Sequence, residues 1–471
     1  MQTLADASNT TTVTKTVSGV VNGGLHICQG SPSPLLTLNN YTGSIIRWEY
    51  AEAIPYVWRP IAHTGVTYQP GVLATSTSYR AVVKNGNCSE EFAIETRIDV
   101  DVNPPAPNLV SYTRPTCAIP TGSVVLDGLS GSGNLLQFDG TTVTNHAYSG
   151  NTITISGLAL GKYKFAIDNN CTITYSDEII IQANTWNGTN WSYGNGEPTL
   201  DDLVDFQEDY GFIKDINACS CTISNDAAVT IQHGKTLHVV KGIHVNYGTL
   251  TFADGASLLQ ESTDNNLNTG FISYKRRSLP IRQSDYVYWS TPVKDMKLID
   301  VSPLTEYDKY YTHNGTEWVQ VPRANTMIPG KGYIIRGPET YSRTDRFPFA
   351  AVFKGVPNNG DFTCEASGTD NFYLVGNPYP SALSADDFIN GNSILEGTLY
   401  FWTHNTLAYL GGAYKYTRDD YASYNLSGGV GVGTVAPSGI GSPDPDNNST
   451  EPKGYIAAGQ AFLPEQLNLE L

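Results

Sequence analysis

Along most of the chain apolar residues alternate with polar ones over four to eight positions, and the runs stop at Gly, Asn, Asp or Pro. A period of two marks half-buried strands, and runs with a helical period are nearly absent. From Val17 the pattern reads "VSGVVNGGLHICQG", "LLTLNN", "SIIRWEY" and "TSYRAVVKNGNCSEEFAIETRIDVDV". Short strands separated by Gly-Gly and Asn-Gly turns predict an antiparallel sandwich over residues 16–104, with residues 1–15 as the tail of a preceding module. Trp48 stands on a middle strand between Cys28 and Cys88, the order of an immunoglobulin-like core, and is read as core packing. "NPPAPN" (103–108) is a linker, because proline interrupts strand pairing and stiffens a junction.

A second small sandwich is predicted over 105–184, where "ISGLALGKYKFAI" reads as strand, turn, strand with Tyr163 and Phe165 on one face. Over 185–267 the strands "VTI", "TLHVV", "GIHV", "TLTF" and "SLLQ" are separated by Gly234, Gly242, Gly248 and Gly255. Such spacing predicts a short parallel β-solenoid, which must pack on its neighbours to be capped. The remainder, 268–471, is a β-rich, sandwich-like region with two internal repeats, about 285–360 and 371–462. Pro292 aligns with Pro378, Thr312-His313-Asn314 with Thr403-His404-Asn405, and Gly332-Tyr333-Ile334 with Gly454-Tyr455-Ile456. The second copy carries a Gly-, Pro- and Ser-rich insertion with the composition of a mobile loop. The fold class expected is therefore all-β throughout.

This duplication bears on the most enzyme-like stretch, "NFYLVGNPYPSALSADDF" (371–388). Its proline loop occupies the same slot as "WSTPVKD", so it reads as a strand terminator. Asp386 and Asp387 then suit the first turn of a short helix, where carboxylates meet the positive end of the peptide dipoles.

Composition narrows the function classes. The 471 residues carry a net charge of −17 with a pI near 4.8, so a phosphate backbone is repelled and no nucleic acid partner is expected. No apolar run approaches the length of a membrane span. Met1 is followed by polar residues instead of a signal peptide, so the chain is read as a fragment or a processed form. The seven cysteines form no Cys-x-x-Cys motif and no zinc spacing. Cys28, Cys88, Cys117 and Cys171 fall as one distant pair per sandwich, which predicts Cys28–Cys88 and Cys117–Cys171 disulfides in an exported protein. Cys219 and Cys221 are read either as two buried thiols or as one bridge to a distant cysteine such as Cys364.

No G-x-S-x-G, H-E-x-x-H or Walker motif occurs. "GVGTVA" (431–436) lacks the strand–turn–helix setting of a dinucleotide site. His233, His238 and His244 are read as outward surface residues of the solenoid, not as metal ligands. "SPDPDNNSTE" (442–451) has oxygen donors suited to calcium without the order of an EF-hand loop. No catalytic residue and no enzymatic activity is therefore expected, and no cofactor or metal other than calcium, which stays open as an alternative. Trp186, Trp191, Tyr193, Tyr409, Tyr414 and Tyr416 lie in turn-rich segments, where exposed rings suit stacking on sugars or pressing on a partner surface, and ordinary packing against the neighbouring module is the competing and stronger reading.

Three groups of residues carry a resemblance. "TGSIIRWEYA" with "TSYRAVVKNGNCSEE" resembles immunoglobulin-like modules of large surface proteins from gliding Bacteroidota. "GSVVLDGL" with "ITISGLALGKYKFAI" resembles short adhesin repeats of their motility proteins. "YVYWSTPV", "GKGYIIRGP", "FKGVPNNG", "YLVGNPYPSAL" and "LYFWTHN" are similar to the region before the sorting domain of type IX-secreted adhesins. The resemblance implies an extracellular, cell-surface adhesin that meets the type IX secretion machinery and binds surfaces, glycans or cells. The strand pattern of the sorting domain is not found after "GYIAAGQAF". The rival expectation is a carbohydrate-binding accessory region of a secreted polysaccharide-degrading enzyme.

Overall fold

The computed structural model describes residues 14–466 except 53, 170, 195, 212, 213, 365–371, 405–407, 411, 412, 415 and 433–450. It is almost wholly β, and divides into two bodies. The first holds residues up to Arg114 together with Thr121–Ile181; the second holds Pro115–Pro120 and everything from Gln182 onward.

Within the first body, two sandwiches each close over their own core. In the first, the sheet Val20–Asn22, Leu36–Asn39 and Thr67–Tyr68 faces a larger sheet built on Ser44–Ala51, Thr77–Lys84 and Thr96–Asp101. Trp48 is fully buried among Leu36, Tyr79, Ala81, Val83 and Ile98, and its indole N–H donates to Gly65 O at 3.0 Å. A buried indole N–H left unpaired would cost on the order of 1–3 kcal/mol, so this bond is what lets the largest side chain sit at the centre. In the second sandwich, alternation along Gly122–Asp127 and Gly161–Asp168 buries Val124, Leu126, Tyr163 and Phe165 on one side.

The disulfides depart from the sequence expectation. Cys28 is bonded to Cys171, and Cys117 to Cys219, each with Cα atoms 5.3 Å apart; Cys88 is a free thiol. The reason is the register. Cys28 lies opposite Asp101, beyond the Thr77 end of the long strand Thr77–Lys84, whereas Cys88 follows its Lys84 end. Seven residue steps at about 3.3 Å separate those ends, far beyond the ~7 Å that a disulfide spans. Cys28 instead meets Cys171 beside the proline linker, where Asn169 Nδ2 also donates to Val102 O at 2.8 Å. The bond thus joins the two sandwiches rather than stapling either.

The second body begins with the solenoid. Three parallel ladders run up it: Asn184–Trp186, Leu203–Phe206, Ser220–Ile223 and Ile243–Val245; Ile216–Ala218, Thr236–Val239 and Ser257–Gln260; and Ala227–Ile231, Gly248–Phe252 and Ile272–Ile281. Val204, Phe206, Ile223, Val229, Leu237, Leu250 and Phe252 fill its interior. Cys219 sits at the corner between two strands and Cys221 on the next strand, so one leaves for Cys117 while the other stays a buried thiol whose ionisation burial opposes. Cys117 is further held by its N–H on the Asp201 carboxylate at 2.9 Å and by Lys241 Nζ donating to its carbonyl at 2.7 Å. Cys364 is not bridged; its thiol donates to Gly330 O at 3.0 Å. The last rung, Ile272–Ile281, pairs antiparallel with Phe347–Gly355, which ends the stack, and the solenoid core runs on without a break into Trp289, Tyr310 and Phe353.

Beyond the solenoid the strands form one long sheet. Its first half orders Tyr286–Trp289, Tyr333–Arg336, Tyr310–Gly315 and Trp318–Gln320; its second half orders Val375–Gly376, Ala461–Gln466, Leu395–Trp402 and Tyr421–Asn425. The halves contact each other reciprocally. Ser290 N donates to Gly459 O at 2.8 Å and Gly376 N to Gly330 O at 2.9 Å. Gly330 and Gly459 both have positive φ, 83° and 61°. Gly376 must lack a side chain because a Cβ there would collide with the Ser290 side chain. Following these pairs, Pro292 corresponds to Pro378. Tyr333 corresponds to Phe462, however, and not to Tyr455, which pairs with Ser384 in a separate two-stranded ladder.

The loop at 377–382 is held by Asn377, which is fully buried. Its amide donates to Ser381 O at 2.7 Å and Ile456 O at 3.0 Å, and its oxygen accepts from Tyr379 N at 2.9 Å. Ser384 caps the helix Ala385–Gly391 by accepting from Asp387 N, with Asp386 and Asp387 in its first turn.

Candidate functional site

The sheet's edge strand Tyr286–Trp289 meets the end of Leu395–Trp402 without forming a ladder. At the corresponding junction of the other half, Asn314 and Gly315 pair regularly with Tyr373 and Phe372. At this one, His404 Nε2 lies 2.7 Å from Tyr286 O. A carbonyl only accepts, so Nε2 carries the proton and the neutral ring's Nδ1 is an acceptor. His313 makes the matching contact, to Phe372 O at 2.6 Å. The two His residues thus each bind the carbonyl that opens the other half's first strand, though strand register places His313 level with Trp402. Burial drives the His404 pKa down to about 4.

Where the ladder is missing, a groove of about 320 Å³ opens, lined by Tyr286, Tyr288, Tyr311, Trp318, Ile334, Trp402, Tyr416, Thr417, Arg418 and Tyr421. Strand alternation puts the aromatics there: Tyr286 and Tyr288 are two apart on one strand, and Tyr311, Ile334 and Trp402 face the same side from neighbouring strands. Tyr288 and Trp402 lie nearly parallel, 6° between planes with centroids 5.9 Å apart. The Tyr288 and Tyr421 hydroxyls are hydrogen-bonded at 2.5 Å, and Tyr416 OH donates to Ser284 O at 2.9 Å. These bonds fix the floor, while Trp318 and Tyr416 remain 38 % and 45 % exposed. Trp402 Nε1 is buried and has no acceptor among the described residues. Burial raises the Tyr288 pKa far above its ordinary value and that of Tyr421 to about 12, so both are neutral hydroxyls.

The aromatics expected from the sequence lie elsewhere. Trp186 and Trp191 are buried, packed together with Phe206 and Tyr210, because the turn they belong to folds onto the first solenoid rung. Trp186 Nε1 donates to Asp209 O at 3.0 Å. Tyr193 is half-buried with its hydroxyl on Gln182 O. The side chains of Tyr409 and Tyr414 lie outside the described residues, as do residues 442–450 of the calcium-like stretch. Among the described residues of that set, Tyr416 lines the groove. The solenoid histidines are engaged separately, His233 with Asp254 O, His238 with Glu261 and His244 with Thr269. The groove residues left a signal in the sequence, the alternating aromatics of "YVYW" and "LYFW"; it is indistinguishable from ordinary strand patterning until the sheet curls the two segments together.

The chain matches the model of a domain of unknown function, DUF8693, over residues 181–470, and a second, DUF8696, over 17–104. It belongs to the DUF8693 family. The DUF8693 match spans the solenoid and the whole aromatic sheet, and so includes the groove. No curated protein matches the chain. Solved structures similar in part include the human OSCAR ligand-binding domain, at 11% identity and TM-score 0.20, over 36% of this chain and 100% of that one. A chain of mouse coronavirus receptor-binding domain complexed with its murine receptor matches at 11% and 0.24, over 34% and 98%. The FN1–FN3 domains of chicken CNTN1 match at 11% and 0.21, over 36% and 66%. At such scores these likenesses carry no argument about what the DUF8693 chain does.

Proposed function

We propose that this DUF8693 protein is a non-enzymatic, extracellular adhesin that presents β-modules for attachment to surfaces, glycans or cells. The observation that carries the reading is the aromatic groove: seven Tyr and Trp side chains gathered at one break in a sheet, with none of the ten lining residues acidic. Paired carboxylates are the usual means of glycoside cleavage, so the lining supports binding over hydrolysis. Two disulfides suit an oxidising compartment, and no helix among the described residues is long and apolar enough to cross a membrane. Export by the type IX route and a cell-surface location follow from the sequence resemblance. A second reading, a carbohydrate-binding accessory region of a secreted polysaccharide-degrading enzyme, rests on the same groove. The test is a binding panel of immobilised glycans, whole cells and abiotic surfaces, run beside polysaccharide, peptide and ester substrates. Attachment without turnover supports the proposal; turnover lost on replacing Asp386 or Asp387 overturns it.

A further inference from the structure

We propose that the groove between Tyr286–Trp289 and the Trp402 end of its neighbour is a subsite for one pyranose ring of a glycan, an inference that rests on the binding reading above. The first argument is size. About 320 Å³ is at the lower end of ligand pockets, room for one sugar ring and not for a folded peptide segment. The second is surface chemistry. A pyranose has faces of C–H bonds and a rim of hydroxyls. The rings of Trp318, Tyr416 and Tyr311 match the former, and the Arg418 guanidinium with the Tyr286 and Tyr311 hydroxyls matches the latter.

The third argument is the unmade hydrogen bond. Trp402 Nε1 has no acceptor among the described residues, and a buried donor without a partner is costly. A sugar oxygen entering beside Trp402, with a small shift of the indole, supplies the acceptor. The same lining argues against the other ligand that aromatic boxes commonly take, a quaternary ammonium ion: a guanidinium stands among the described lining residues and none of them is acidic.

The experiment is calorimetric titration of the full chain with methyl pyranosides of gluco, galacto and manno configuration and with their oligosaccharides. Trp318→Ala and Trp402→Phe are compared with the unaltered chain, and thermal melting of each variant checks the fold. Trp318 is partly exposed and Phe preserves the stack on Tyr288, so both variants fold. Saturable binding of at least one sugar is expected, weakened about tenfold by Trp318→Ala and about three- to tenfold by Trp402→Phe. Glycan binding that neither variant alters places the sugar elsewhere; it overturns this inference and leaves the adhesin reading standing. Attachment to cells with no sugar bound also overturns the inference alone. Saturation by choline or by a proline-rich peptide, with no sugar bound, overturns the sugar assignment. Silence toward every sugar, cell and surface sinks both.

Discussion

Replacing His404 with Gln should remove one loss of stability that the second body suffers as pH falls. His404 is held neutral by burial, with a pKa lowered to about 4 from the ordinary 6.5. The unfolded chain takes up a proton there as pH falls through 6.5, and the folded chain does not until about 4. Stability from this group is therefore complete above about 6.5 and lost as pH falls toward 4. Asp285, two residues before the edge-strand Val287, works in the opposite sense. Burial raises its pKa to about 6 from 3.8, partly offset by the Arg282 N–H on its carboxylate at 2.8 Å, by the Arg282 and Arg346 charges and against Asp420. The folded chain binds that proton first, so stability is gained as pH falls from about 6 to 3.8. One pKa unit is worth about 1.4 kcal/mol. Integrating each shift from pH 7.5 to 5 gives about 2 kcal/mol lost through His404 and about 1.4 kcal/mol gained through Asp285. The two nearly cancel in the native chain. Gln at 404 keeps an N–H for the Tyr286 carbonyl and removes the titration. Urea denaturation followed by tryptophan fluorescence should show the His404→Gln variant gaining about 2 kcal/mol on the native chain between pH 7.5 and 5. Asp285→Asn should show the opposite drift, about 1.4 kcal/mol. Subtracting the native curve removes every other carboxylate. A difference curve for His404→Gln flat to within about 0.5 kcal/mol would refute the buried, neutral histidine.

Three further outcomes follow from the packing. Removing the Cys28–Cys171 bond with paired Ser substitutions opens a loop of 143 residues, a ceiling of about 5 kcal/mol in the chain-entropy model. Hydrogen exchange of Ser44–Ala51 and Gly161–Asp168 should speed by up to about three and a half decades, while Cys88→Ser leaves it unchanged; the reverse pattern would restore the Cys28–Cys88 pairing. Phe165→Ala should cost the second sandwich about 3–5 kcal/mol in urea denaturation, since the side chain is fully buried, and a cost below about 1 kcal/mol would place the core elsewhere. Asn377→Ala removes the buried amide that holds Ser381, Ile456 and Tyr379, and should cost about 2–4 kcal/mol by the same assay; Asp386→Asn should cost less than about 1 kcal/mol, and equal losses would return the loop to the aspartates.

What the chain disclosed before folding depended on how local the information was. Alternation and turn residues are local, so the sandwich strands, the buried Trp48 and the solenoid rungs were legible. The short helix that opens with Asp386 and Asp387 is local too; the Ser384 cap before it was not singled out. Disulfide pairing is not. Cys28 and Cys88 share a module, but strand register carries them to opposite ends of Thr77–Lys84, and Cys171 reaches Cys28 only because the linker folds the second sandwich back beside Val102. The internal alignment held at Pro292 and Pro378 and failed beyond them for a related reason. Gly-Tyr-Ile recurs at 332–334 and 454–456, yet backbone pairing answers to register, and Phe462 takes the place of Tyr333 opposite the first strand of its half.

The groove was the hardest feature to foresee because it comes from an absence of pairing. A run such as "LYFWTHN" specifies a strand with aromatics on alternate sides, and nothing in it says that the ladder will fail at its end. The failure is visible only against the other half, where Asn314 and Gly315 do pair. Here His404, at φ 60°, turns the backbone away and offers its ring to Tyr286 O in place of a main-chain N–H. Non-glycine residues in that region of backbone space are uncommon, although histidine is among those that tolerate it. Beside that turn, which spares the edge strand an unpaired carbonyl, lies Trp402 Nε1, with no acceptor among the described residues. The left-handed turn at His404 thus stands at the break in the sheet, next to the rings along it and to the unmade hydrogen bond. Position 404 is therefore the place where stability, pH response and ligand binding should change together, whereas Trp318 on the rim should change binding alone.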